Sequence, residues 1–281
     1  MSISTFQLWN RSFGWGVFSA ALLTYGLTVE PTASFWDAGE YIATAAKLQV
    51  GHPPGAPLFQ MIGAFFALFS TSPENTALMV NYMSVFSSAF TVLFLFWTLT
   101  LLIKKLPAFQ SLENNAERLT FFGSATLGAL AFCFSDSFWF NAVEAEVYAM
   151  ATFILSLLFW LGLRWEQEMN FPRGDRWLLL ISFVIGLSFG VHFMGLLTIP
   201  AIGMIYYFKN TPKVTVKSFL LANVISVAIL LFIFKLLLPT TLAFFGNSEV
   251  FFVNKMGLPF NSGTLIAALC FALFFYYSLK Y

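Results

Sequence analysis

The sequence predicts an all-α polytopic membrane protein, on three observations. Hydrophobic residues make up 59% of the chain and charged residues only 10%, where soluble domains carry about a quarter charged residues. The apolar residues, among them 37 phenylalanines, gather into runs that reach the roughly 20 residues a spanning helix needs. Those runs lack the alternation of barrel strands, which leaves helices to satisfy the backbone in lipid. About eight spans are expected.

The first span falls at 12–29. It is read as a retained helix, because Tyr25-Gly-Leu-Thr-Val offers no small-residue cleavage site. Residues 30–76 follow as an outer loop with structure of its own. Trp36, Tyr41, Ile42, Ala45 and Leu48 recur at helical spacing and predict a helix lying along the membrane surface. Pro53-Pro54 predicts a turn, since proline fixes its own φ and restricts its predecessor. The apolar stretch 56–70 is read as a second interfacial or half-inserted helix, because a full crossing there would invert every later loop. Further spans are expected at 77–103, 120–134 and 147–163. The run 177–208 is too long for one crossing and is divided into two short helices meeting near Gly190-Val-His-Phe. Spans at 218–238 and 264–279 enclose a second long outer excursion, 239–263. The whole of 1–281 is read as a single transmembrane domain. Cys133 and Cys270 lie inside apolar runs, as small buried hydrophobes with no disulfide framework implied.

Charge orients the bundle. Arg11, Lys104, Lys105, Arg118, Arg164, Arg173, Arg176, Lys209, Lys213, Lys217 and Lys280 fall on one side if there are about eight spans. Glu30, Asp37, Glu40, Glu74, Asp136, Glu144, Glu146 and Glu249 fall on the other, with only Lys47, Lys255 and, near a helix end, Lys235 among the basic residues. Positive residues favour the cytoplasm, so both termini are expected inside and the acidic loops outside, in the setting of a bacterial inner membrane with the site on its periplasmic face. The formal net charge of +1 conceals this division. No basic arm suggests nucleic acid, and no phosphate-binding glycine loop, metal-ligand spacing or Ser-His-Asp arrangement is present.

The candidate chemistry lies in two outer clusters. Asp37 and Glu40 stand i, i+3 on the predicted surface helix and share a face. One could accept a proton from an attacking hydroxyl while the other orients it or binds a cation. His52 is held at the Pro53-Pro54-Gly55 turn, where it could contact an anionic head group. In the second cluster a regular helix would align Asn141, Glu144 and Tyr148 on one face and turn Glu146 away, with both acids at the outer surface. His192 sits where 177–208 reverses. Trp36 and Trp139 suit an interfacial aromatic belt and could also stack on a sugar or an isoprenoid.

Four blocks in order, Trp36-Asp-Ala-Gly-Glu-Tyr-Ile, His52-Pro-Pro-Gly-Ala-Pro-Leu-Phe, Phe138-Trp-Phe-Asn-Ala-Val-Glu-Ala-Glu-Val-Tyr and Gly190-Val-His-Phe-Met-Gly-Leu-Leu-Thr-Ile-Pro-Ala, resemble a group of GT-C membrane glycosyltransferases similar to protein O-mannosyltransferases. The resemblance runs from about Phe13 to Phe208. It implies a GT-C-like bundle that moves a sugar, mannose by expectation, from a polyprenyl-phosphate donor to Ser or Thr hydroxyls of exported proteins. Asp37 would be the base with Glu40 its partner. Trp36, His52, Asn141, Glu144, Glu146, Tyr148 and His192 would line the donor–acceptor site. The implied partners are the lipid-linked sugar, exported acceptor proteins and membrane lipids; no metal ligand is assigned and the need for a divalent metal stays open. Family members are usually longer than this chain. Two other readings are a transporter or lipid-binding protein whose outer carboxylates bind cations, and an inactive scaffold.

Overall fold

The computed structural model describes residues 3–280, and among the described residues every element is helical. The chain divides into two compact units, Met1–Lys213 and Val214–Tyr281. The first contains α1 (Ile3–Leu27), α2 (Ala38–Ala46), α3 (Pro57–Ala67), α4 (Thr76–Ile103), α5 (Asn115–Cys133), α6 (Asp136–Ala142), α7 (Val147–Glu168), α8 (Asp175–Ser188) and α9 (Thr198–Asn210). The second contains α10 (Val216–Phe232), α11 (Leu238–Val250) and α12 (Ser262–Lys280).

In the first unit α4 is the central post, with α1, α3, α5 and α7 packed around it. Small residues set that packing: Ala21 of α1, Ala89 of α4, and Ala125 and Ala129 of α5 are fully buried, and in lipid it is close backbone approach, not water exclusion, that holds helices together. Phe96, Phe121 and Phe122 fill the space between them. The two helices expected within residues 30–76 are present as α2 and α3. They pack on each other through Gly63, where an added Cβ would lie 2.9 Å from the Cβ of Ala45.

Two polar ties position the site. Asn81 on α4 donates through Nδ2 to the carbonyls of Glu30 (2.7 Å) and Thr32 (3.0 Å), fixing the segment that leads to Asp37. At the start of α3 the amides of Leu58 and Phe59, which a helix cannot satisfy internally, donate to the carbonyl of Gly190 at 2.8 and 3.1 Å. This fastens α3 to the turn after α8. An added Cβ at Gly190 would lie 2.7 Å from the Cβ of Leu58, so the contact excludes a side chain there. The run 177–208 does divide at that turn, with a 3₁₀ segment, Phe193–Leu197, leading into α9.

The span count differs from expectation. Among the described residues three helical stretches are long and apolar enough to cross a membrane, Pro73–Ile103, Val147–Glu168 and Val216–Lys255, with a fourth if α5 and α6, bent by 70°, form one broken span. α8 and α9 have 14 and 13 residues, about 20 Å of helix against a hydrocarbon core of about 30 Å. The expected outer excursion 239–263 is helical through Lys255. Pro239 is accommodated in the first turn of α11, directly after the wider π-type turn Ile233–Leu237, where its lack of an amide donor costs little. In the second unit most apolar side chains face outward, and Cys270 is exposed, unlike the buried Cys133.

α7 also separates the charges. Its N-terminal end carries Glu146, while its C-terminal end holds Glu168 paired with Arg164 and Arg176. Lys105 at the end of α4 pairs with Glu166. The 22 residues of α7 place these ends about 33 Å apart, close to the thickness of a bilayer core.

Candidate functional site

Asp37 immediately precedes α2 and Glu40 lies in its first turn. His52 returns to both. Its backbone amide donates to Glu40 Oε1 at 2.6 Å, and Nδ1 lies 3.1 Å from Glu40 Oε2. On the other side of the ring Nε2 lies 3.9 Å from Asp37 Oδ2. The two hydrogen bonds from His52 hold the Glu40 carboxyl below its usual value, and the bond to Glu40 raises His52 above its own. The side chains of Asp37, His52 and Glu40 stay 58%, 42% and 39% exposed. The predicted sharing of a helix face by Asp37 and Glu40 therefore becomes convergence on one imidazole.

The second cluster departs from the expected geometry. Between α6 and α7 the chain is irregular, and the Glu146 amide bonds back to the Glu144 carbonyl at 2.9 Å. A regular helix would have turned Glu146 away; the break turns it toward Asp37. Both acids were expected at the surface and neither is there: Glu144 is 3% and Glu146 5% exposed. Glu144 accepts a hydrogen bond from Ser34, and burial raises its carboxyl. Burial, followed by the charges of Glu144 and Asp37, pushes Glu146 up to about 7. The backbone amides of Asp37 and Val147 act on this carboxyl in the opposite sense, while its Oε1 is buried without a hydrogen-bond partner among the described residues.

Asp37, His52, Glu146, Tyr148 and His192 line a cavity of about 200 Å³, with Tyr41, Phe189 and Phe193. The rings of Tyr148 and His192 meet at a tilt of 54°, with 5.5 Å between their centroids. Burial lowers His192, and its Nδ1 accepts from the amide of Met194 at 3.2 Å. The neutral ring therefore carries its proton on Nε2 and can act as a donor. Glu40 stands behind His52. Besides Glu40, three more predicted residues lie outside the cavity. Glu144 is turned to Ser34, Asn141 donates to the Ser137 carbonyl within α6, and Trp36, at φ 58° and 86% exposed, projects away.

Two contributors escaped the sequence reading as site residues. Tyr41 is 8% exposed and its hydroxyl is pushed up to about 12 by burial; its i+4 offset from Asp37 was the available signal. Ser34 carried none, since its partner is 110 residues away. Beside the polar cavity runs an almost wholly apolar groove of about 440 Å³ between α3, α4, α7 and α8. Leu58, Met150 and Leu187 line the groove, each close in sequence to Ala56, Tyr148 or Phe189 of the cavity.

Comparison with known proteins gives a family. The family described as Protein O-mannosyl-transferase TMEM260 N-terminal domain matches residues 37–215, from the first cavity carboxylate to the boundary between the two units. The chain is 26% identical over 162 residues to "Protein O-mannosyl-transferase tmem260" of Dictyostelium discoideum, covering 57% of this chain and 18% of that protein. It is 27% identical over 173 residues to "Protein O-mannosyl-transferase TMEM260" of Mus musculus, covering 61% of this chain and 22% of that protein. The chain thus spans about a fifth of the length of these relatives. No solved structure matches it.

Proposed function

Since this chain belongs to the protein O-mannosyl-transferase TMEM260 N-terminal domain family, we propose that it carries the transfer site of a GT-C glycosyltransferase. The enzyme moves mannose from a polyprenyl-phosphate donor to Ser or Thr hydroxyls of exported proteins, on the outer face of the membrane. One observation carries this reading: a polar cavity with an exposed carboxylate at its mouth opens beside an apolar groove. That pairing suits a substrate with a polar head and a hydrocarbon tail. The separation of acidic and basic ends along α7 supports placing the cavity outside.

In this mechanism Asp37 accepts the proton of the acceptor hydroxyl, whose oxygen attacks the anomeric carbon as the bond to the phosphate oxygen breaks. The donor's configuration is inverted in a single displacement. Asp37 suits the role because, among the described residues, no donor is hydrogen-bonded to its carboxylate, and its side chain is 58% exposed toward an incoming acceptor. His192 Nε2–H and the carboxyl of Glu146 in its protonated form donate to the departing phosphate, whose negative charge grows as the bond breaks. Tyr148 and the phenylalanines exclude water from the sugar.

The test is transfer of labelled mannose from polyprenyl-phosphate mannose to envelope or luminal proteins, in membranes containing the chain or its Asp37→Asn form. Transfer that falls by a factor of about 10² or more in the variant, with equal membrane insertion, is expected for loss of the base. Near-normal transfer by Asp37→Asn overturns the assignment.

A further inference from the structure

We infer that Asp37 and His52, with Glu40 orienting the His52 ring, form a divalent-cation site, closed from the buried side by Glu146. Each of the first three offers one atom of a metal-ligating kind, and these atoms lie within 4.8 Å of one another. Trans ligands on a small divalent ion stand about 4.2 Å apart, twice a metal–oxygen bond of about 2.1 Å. The 3.9 Å between His52 Nε2 and Asp37 Oδ2 falls within that span, and both side chains are exposed enough to adjust. The ring of His52 is already set. Glu40 accepts at Nδ1, 3.1 Å away, which is how a carboxylate commonly orients a metal-binding histidine. Nε2 then faces Asp37 Oδ2 at 3.9 Å, too far for a hydrogen bond and a suitable gap for an ion. Such a donor set of carboxylate oxygens and one imidazole suits Mn²⁺ or Mg²⁺ more than a softer metal.

A second observation comes from inside the protein. Glu146 lines the same cavity, is 95% buried on its 5% relative exposure, and its Oε1 has no hydrogen-bond partner among the described residues. A buried carboxylate oxygen left unpaired is costly unless a proton or a cation meets it. No lysine or arginine lines the cavity, and the ion pairs of the described residues bring neither to these acids. A phosphate-bearing donor would otherwise meet no fixed positive charge there, only two carboxyls, two histidines and two tyrosines. This counter-charge argument rests on the proposed transferase reading; the ligand geometry does not.

The experiment titrates the purified full chain in detergent micelles with MnCl₂, after chelation and desalting, reading free Mn²⁺ by its electron paramagnetic resonance signal. No donor is present. Saturation at one ion per chain is expected. Asp37→Asn and His52→Gln should each weaken binding by about tenfold or more, and Glu146→Gln should weaken it too. Asp136→Asn, an exposed acid at the start of α6, should bind as the parent does. Asp37 and His52 are well exposed, so both variants should retain their helix content, checked by circular dichroism. No saturable binding, or parent-like binding by the folded Asp37→Asn, His52→Gln double variant, overturns the site. Transfer measured in parallel separates the two ideas. Ion binding without mannose transfer rejects the transferase reading and keeps the site; chelator-insensitive transfer without ion binding rejects the site and keeps the transferase.

Discussion

Replacing Glu146 by Gln tests the electrostatics of the cavity most directly. Glu146 ionises at about 7 in the folded protein and near 4.5 when exposed. The folded state therefore holds the proton more tightly than the unfolded chain. The stability this group confers is fully present below about pH 4.5 and is lost as the pH rises through about 7. At about 1.4 kcal/mol for each tenfold change in proton affinity, the difference is worth about 3 kcal/mol by pH 8. Glutamine keeps the shape of the neutral carboxyl and cannot ionise. The variant should match the parent at pH 4.5 and exceed it by up to about 3 kcal/mol at pH 8. Tryptophan fluorescence during denaturant unfolding in detergent, with chelator present, measures this at both values. A constant offset between the two proteins from pH 4.5 to pH 8, or a variant weaker than the parent at pH 8, refutes the claim that burial in an acidic cavity governs this residue.

Two other perturbations probe the frame around it. The two histidines should titrate apart in a chelated sample labelled at histidine, His52 above and His192 below the ordinary imidazole value. Glu40→Gln should bring His52 down while leaving His192 in place; nuclear magnetic resonance showing both histidines unmoved would contradict the Glu40–His52 pairing. Gly190→Ala should cost about 1–3 kcal/mol by overpacking against Leu58 and should lower transfer as the start of α3 is pushed from the cavity. An alanine variant with unchanged melting temperature and transfer would mean that the α3 contact does not set the cavity.

The helical class was legible because it depends on averages: apolar content, run length and the scarcity of charge. The helices α2 and α3 were legible for a related reason, since Tyr41, Ile42 and Ala45 repeat at 3.6-residue spacing and bury against α3 and α4. The count of spans was not. Apolar length in a sequence does not say whether a run is one straight helix, a bent pair such as α5 and α6, or two pieces as short as α8 and α9. At 239–263 an outer excursion was expected between two spans, and a π-type turn before Pro239 carried the helix onward instead.

The site shows where local reasoning ends. Asp37, Glu40 and His52 could be proposed together because they are close in sequence and one turn joins them. Glu146 could not be assigned its part from spacing, because helical periodicity sends it opposite to Asn141 and Glu144. Four residues outside any helix, 143–146, reverse that assignment and send Glu144 to Ser34 while Glu146 enters the cavity. The same break makes Glu146 the N-cap of α7, where the helix dipole favours its charge while burial opposes it. A carboxyl balanced between these two influences near neutral pH can meet a proton at one stage and a cation or a phosphate at another. This balance arises only because the chain leaves the helix at that point, so the irregular segment contributes as much to the chemistry of the cavity as the acids themselves.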